Sequence, residues 1–314
     1  MRRIGLLVVG HIDAGSLHVG GDYAELYRDI LGPHDIEVVP YKCDEGQMPG
    51  SPDEQDGWIC SPSRLSVYDD VDWLRDVEEL LREMVRTETP FVGICFGHQL
   101  LAQALGGTVR KADVGWGIGA KEYSVLQPQS WMQPARDVIH LAASHQDQVI
   151  TLPDGAELWA TSDYCPNGGM LVGERAWTLQ VHPEFSPALS DSLLATRIAL
   201  FGEEEVAAAR GTLTTTSLDQ DLVARWISAF IRETIAGGVP AGATTPYQTL
   251  ESKSRKPASA TVGVSGRDAA RCAEVTAIAR SLPPLMSGTA AGSEAKNTST
   301  CPPMMSVIAC AAPL

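Results

Sequence analysis

No stretch of this 314-residue chain approaches the roughly eighteen consecutive apolar residues that a membrane helix needs. Met1-Arg2-Arg3 followed by Ile4 to Val9 is too short an apolar run for a signal peptide and meets His11 and Asp13 at once, so it reads as a first β-strand. Basic residues are also scarce: 24 Lys and Arg face 39 Asp and Glu, a formal net charge of −15. Without a clustered basic run, nucleic acids and anionic membranes are excluded as expected partners. There is no G-x-x-x-x-G-K-[ST], so ATP activation is not encoded, and no H-E-x-x-H. The seven cysteines are scattered and odd in number; Cys43, Cys60 and Cys165 lack paired spacing. Neither a disulfide framework nor a metal site is expected, no cofactor is called for, and a reducing compartment, the cytoplasm, is the expected location.

What is present suits a globular domain: 44% apolar and 20% charged residues can build a sizeable core. The acidity belongs to the first part of the chain, because only 7 of the basic and 4 of the acidic residues follow Ala236, leaving 17 against 35 before it. After that point Ala, Ser, Thr, Gly and Pro dominate and neither Trp nor Phe occurs. Residues 237–314 are therefore expected to form a low-complexity, disordered tail, a helix around Arg267 to Leu282 being the weaker reading. Residues 1–236 form the expected domain.

Within it, Ile4 to Val9 and Ile36 to Val39 read as strands around a helix at Tyr23 to Leu31. Gly57 to Ile59 and Phe91 to Ile94 are further short strands, with a helix at Val71 to Val85 between them. Another helix runs through Leu100 to Leu105 and stops at Gly106-Gly107. From Lys121 to Ala176 short strands broken by Pro and Gly suggest an antiparallel extension. Ala176 to Val181 is a strand, and helices follow at Asp191 to Leu200 and Asp219 to Ile235. The fold class is α/β: a flavodoxin-like, doubly wound, mostly parallel sheet in one domain, with ligands expected outside the carboxyl ends of its strands.

Gly93-Ile94-Cys95-Phe96-Gly97 lies between an apolar strand and a helix. That is the pattern of a nucleophile elbow with Cys in place of Ser. A sharp turn strains the nucleophile's backbone, and small neighbours let it approach adjacent strands. A helix N-terminus behind a thiol favours the thiolate and offers free N–H groups to an oxyanion. Taken alone, the elbow is matched by a bland alternative, a buried structural cysteine. A base tips the balance. His182 ends an apolar strand, and Pro183-Glu184 stops that strand and sets a carboxylate beside the ring. Cys95, His182 and Glu184 are thus the expected nucleophile, base and orienting acid. His98, next to the nucleophile on a helix start, is expected to point elsewhere. Gly115-Trp116-Gly117-Ile118-Gly119 lacks dinucleotide-loop spacing and reads as a structural loop.

Gly93-Ile94-Cys95-Phe96-Gly97-His98-Gln99 with His182-Pro183-Glu184 resembles the class I glutamine amidotransferase signature, in its GMP-synthase-like stand-alone and γ-glutamyl peptidase branch. The resemblance spans residues 4–235 and includes Asp56 to Ile59, Ser63 to Asp69, Ala104 to Gly107 and Ser144 to Val149 in the expected order. It implies an oxyanion hole from the backbone N–H groups of Ser63 and Phe96, with Gln99, Ser144 and His145 holding the glutamyl part of the substrate. It also implies hydrolysis of the γ-carboxamide of glutamine through a γ-glutamyl thioester, releasing ammonia; since no synthetase is expected in the tail, either a synthetase partner supplies the acceptor or the protein hydrolyses its substrate without one. Two other readings stay open: a γ-glutamyl peptidase acting on glutathione-like conjugates, and a binding or regulatory protein of impaired activity. The last is raised by Pro62, which stands where the family usually has glycine; proline fixes φ and removes a donor, although the Ser63 N–H remains.

Overall fold

The computed structural model describes residues 1–236. Residues 237–314, with the expected disordered tail, the Gly237-Gly238 stop and the weighed helix at Arg267 to Leu282, lie outside the described residues.

The chain begins with strand β1 (Arg2–Val8), helix α1 (Tyr23–Leu31), β2 (Ile36–Lys42), β3 (Gly57–Cys60), α2 (Asp72–Arg86), β4 (Phe91–Ile94) and α3 (Phe96–Ala104). Strands β5 (Thr108–Lys111), β6 (Gly117–Val125), β7 (Val138–His145), β8 (Asp147–Thr151), β9 (Ala156–Thr161), β10 (Gly169–Val172) and β11 (Ala176–Leu179) follow. Helices α4 (Pro187–Thr196), α5 (Ile198–Phe201), α6 (Glu203–Thr215) and α7 (Gln220–Ala236) complete the described chain. One sheet of nine strands runs β2-β1-β3-β4-β11-β10-β9-β6-β7, with β5 and β8 paired apart from it. Its first five strands are parallel to one another and the remaining pairs are antiparallel. The expected flavodoxin-like order thus stands beside the expected antiparallel extension, which begins at Gly117.

The periodicities explain the layers. In β1, Ile4, Leu6 and Val8 enter one core and Leu7, with Val9 just beyond the strand, the other, because successive side chains leave opposite faces of a strand. Both faces are covered, so the strand reads as one apolar run. Helix α1 buries Tyr23, Leu26, Tyr27 and Leu31 on the first face, and Asp22 opens it with a capping box to Glu25. On the same face α7 contributes Val223, Trp226, Ile227, Phe230 and Ile231. Helix α2 covers the second face through Leu74, Val77, Leu81 and Met84.

Several elements differ from expectation: β5 has no counterpart in it, and Gly117 to Gly119, read as part of a structural loop, open strand β6. The helix expected over Asp191 to Leu200 is two helices broken at Arg197, whose ψ of 17° lies off the helical value. Helix α6 has no counterpart among the expected elements. Its buried residues are Val206, Ala209 and Leu213, too sparse a stripe to stand out in sequence.

Candidate active site

The carboxyl ends of β1, β3, β4 and β11 open on one side of the parallel half, and each feeds a segment into one cavity of about 410 Å³. Cys95 follows β4 directly. It is buried and holds φ 51° and ψ −98°, a conformation L-residues avoid, while capping α3. Its backbone N–H is tied to the Leu179 carbonyl at 2.8 Å, which fastens the turn to β11.

The flanking glycines are required by contact. A Cβ on Gly93 would lie 2.6 Å from the Gly97 carbonyl oxygen, and one on Gly97 would lie 2.7 Å from the Cys60 carbonyl oxygen. Because Cys60 leads into Ser61-Pro62-Ser63, Gly97 couples the start of α3 to the loop expected to supply an oxyanion donor. Gly97→Ala should cost about 1–3 kcal/mol of stability, read by urea unfolding. It should also cut turnover more than a distant substitution of equal cost.

His182 is carried past the end of β11 and pinned by its N–H to the Ala142 carbonyl of β7 at 2.9 Å. Its Nδ1–H donates to Glu184 Oε1 at 2.8 Å, and the Glu184 side chain is fully buried. Phe185 lies flat on the imidazole, ring centroids 4.0 Å apart. Burial pushes His182 down, but the charge of Glu184 and that of Cys95 outweigh it and hold the ring up at about 10. Nε2 is buried without a formed hydrogen bond. Cys95 is near enough to act on the ring as a charge and as a weak acceptor, but not at the geometry of a made bond. The expected nucleophile, base and orienting acid are therefore brought together, with Cys95 and His182 lining the cavity.

Of the residues expected as donors or substrate contacts, Ser63, Gln99, Ser144 and His145 line the cavity. Among the described residues neither the Ser63 N–H nor the Phe96 N–H finds a protein acceptor. Pro62 is accommodated by Ser61, whose Oγ accepts from the Val9 N–H and donates to the Pro62 carbonyl, each at 3.1 Å. Gln99 spends its amide N–H groups on the Asp147 carbonyl at 2.7 Å and Gln180 Oε1 at 3.2 Å, so only its oxygen is left for a ligand. His145 Nδ1–H donates to the Asp147 carbonyl at 3.2 Å, and burial together with the charge of His182 lowers its pKa to about 3. The ring is neutral, and its Nε2 has no protein partner. Ser144 Oγ accepts from Arg197 at 3.1 Å.

His98 is elsewhere, as its sequence position suggested. Its Nε2–H donates to the Asn167 carbonyl at 3.0 Å, its Nδ1 accepts from the Thr178 hydroxyl at 2.7 Å, and burial lowers it to about 4. Burial likewise pushes the thiols of Cys43 and Cys165 up to about 12, and that of Cys60 well up. Among the described residues no cluster of His, Cys, Asp and Glu is placed to hold a metal, and no helix is long and apolar enough to cross a membrane.

Sequence reasoning missed several wall residues: Tyr23, Arg64, Phe185 and Arg197, and behind them Asp13 and Gln180. Gln180 Nε2 lies 3.6 Å from Cys95 Sγ. Its spacing of two from His182, on an extended segment, was the available signal.

Residues 28–199 match the family model for glutamine amidotransferase class I, more than half of the chain. The chain belongs to the class I glutamine amidotransferase family. Among its relatives in this family is γ-glutamyl peptidase 3 of Arabidopsis thaliana, 24% identical over 222 residues, which cover 68% of this chain and 89% of that protein. Another is the glutamine-hydrolysing GMP synthase of Clostridium novyi, 27% identical over 173 residues, which cover 54% of this chain and 32% of that protein. A crystal structure of a glutamine amidotransferase from Thermotoga maritima shares the fold with a TM-score of 0.60 at 19% identity, covering 76% of this chain and all of its own.

Proposed function

We propose that this family member hydrolyses the γ-glutamyl amide of glutamine and releases ammonia to an acceptor held by a partner. The observation that carries the reading is the strained, helix-capping Cys95 sharing one cavity with a His182 oriented by buried Glu184. In this mechanism the Cys95 thiol gives its proton to His182 Nε2 and its sulfur attacks the γ-carbonyl carbon, the carbonyl π electrons moving onto oxygen. The uncommitted N–H groups of Ser63 and Phe96 support that oxyanion. His182 gives its Nε2 proton to the leaving nitrogen as the C–N bond breaks, forming the γ-glutamyl thioester. Water then loses a proton to His182 and attacks the thioester, freeing glutamate and the thiol. Residues 1–236 are the proposed catalytic domain, and a thiol nucleophile suits a reducing, cytoplasmic setting.

A second reading is a γ-glutamyl peptidase. It is favoured by a cavity much larger than ammonia needs, with the exposed apolar side chains of Leu65, Trp116 and Leu200 on its wall. Glutamate release from L-glutamine and from a γ-glutamyl dipeptide, by the protein and by its Cys95→Ala variant, separates the two. Cys95-dependent turnover of glutamine is expected. Turnover of the dipeptide alone selects the peptidase, and no turnover of either leaves the binding-protein reading.

A further inference from the structure

Arg197 sits at the break between α4 and α5, its side chain only 17% exposed. Two other parts of the chain fix it. Its Nε donates to Asp13 Oδ2 at 2.6 Å, from the segment after β1, and its Nη1 donates to Ser144 Oγ at 3.1 Å, at the end of β7. Asp13 is 13% exposed and is shared: Arg64 reaches its other oxygen at 2.8 Å, and the Thr196 hydroxyl donates at 3.4 Å.

Two guanidiniums on one carboxylate leave the group net positive. The carboxylate on the cavity wall itself, Asp147, accepts from the hydroxyls of Ser66 at 2.6 Å and Tyr68 at 3.0 Å, and the wall carries three cations, Arg64, Lys111 and Arg197. In a domain with twice as many acids as bases, this cavity therefore collects positive charge. The Nη2 N–H groups of the Arg197 fork are bonded to no protein acceptor and are not fully buried, and the residue lines the cavity that holds Cys95 and His182. A purely structural arginine would direct its fork into protein acceptors. Here two bonds aim the fork and the rest of it is available, the arrangement that suits planar recognition of a carboxylate.

We propose that Arg197 binds the α-carboxylate of the γ-glutamyl substrate, with Asp13 and Ser144 holding its guanidinium in place. This rests on the hydrolysis reading above and adds to it the residue that recognises the amino-acid end of the substrate.

The test uses three p-nitroanilides and the full-length chain. The γ-glutamyl compound carries both α-groups, the glutaryl compound only the carboxylate, and the 4-aminobutyryl compound only the amine. The protein should favour the first two over the third by about 30- to 100-fold in kcat/KM, the range of a charged hydrogen bond. Arg197→Gln should lose about that factor on the two carboxylate substrates, mostly through KM. It should stay within about threefold on the 4-aminobutyryl compound, and Arg197→Lys should fall between. Labelling of Cys95 by neutral iodoacetamide, unchanged in Arg197→Gln, checks that the site is intact. An equal loss on all three substrates overturns the assignment and leaves a structural arginine. Absence of Cys95-dependent turnover in the unaltered protein overturns the hydrolysis reading itself, and this one with it.

Discussion

Cys95→Gly should abolish turnover and yield a protein more stable than Cys95→Ala. Both variants remove the sulfur, for which nothing nearby substitutes, so hydrolysis should fall by about 10⁵-fold or more, to background. Stability separates them. At φ 51° and ψ −98° any residue with a Cβ is strained, at a cost of about 1–3 kcal/mol. Glycine relieves that strain but adds about 0.5–1 kcal/mol of unfolded-chain entropy. A net advantage of about 1 kcal/mol over alanine is expected in urea unfolding. If glycine is instead the less stable variant, the elbow stores no strain and the turn is set by its neighbours alone.

Glu184→Gln should lower kcat by about 10²- to 10⁴-fold and flatten the pH dependence of stability that His182 contributes. In the native protein the ring's pKa is raised from 6.5 to about 10, so the folded state binds the proton more tightly than the unfolded chain. That stabilisation is fully present below about pH 6.5 and is lost as pH rises towards 10. Without the carboxylate only the charge and weak hydrogen bond of Cys95 are left to oppose burial, so the ring's raised pKa falls. The folded and unfolded chains then differ less in proton affinity, and the loss of stability with rising pH becomes shallower. Urea midpoints across about pH 5.5 to 10 for both proteins read the two slopes. Parallel profiles would show that Glu184 does not govern the charge of His182.

Much of this is legible because the relevant signals are local. Strands β1 and β4 and helices α1 and α2 announce themselves by apolar runs and helical spacing, and the elbow and His182-Pro183-Glu184 are each contiguous in sequence. The helix Tyr23–Leu31 agrees with its sequence expectation to the residue. What stays hidden depends on convergence. Asp13 and Arg197 lie 184 positions apart and meet only because the end of β1 and the α4–α5 break face the same cavity. Arg197 carries no motif, and its helix break follows from where the chain must turn. Gln99 reads as a substrate ligand, yet its amide N–H groups are used inside the protein. A one-letter pattern does not say which lone pair or proton is already spoken for.

Strand β11 lies between β4 and β10, although it is made last of the three. On the ribosome, β4 emerges followed by its thiol, and some eighty residues, α3 and the antiparallel strands among them, must follow before β11 is available. At typical rates of synthesis that interval is on the order of ten seconds. Throughout it the parallel half ends on the open edge of β4, joined at the last by that of β10, and Cys95 has neither Gln180 nor His182 beside it. Insertion of β11 seals both edges and delivers both partners in one step. The nascent chain therefore carries its exposed edge and its incomplete site together, and one event ends both.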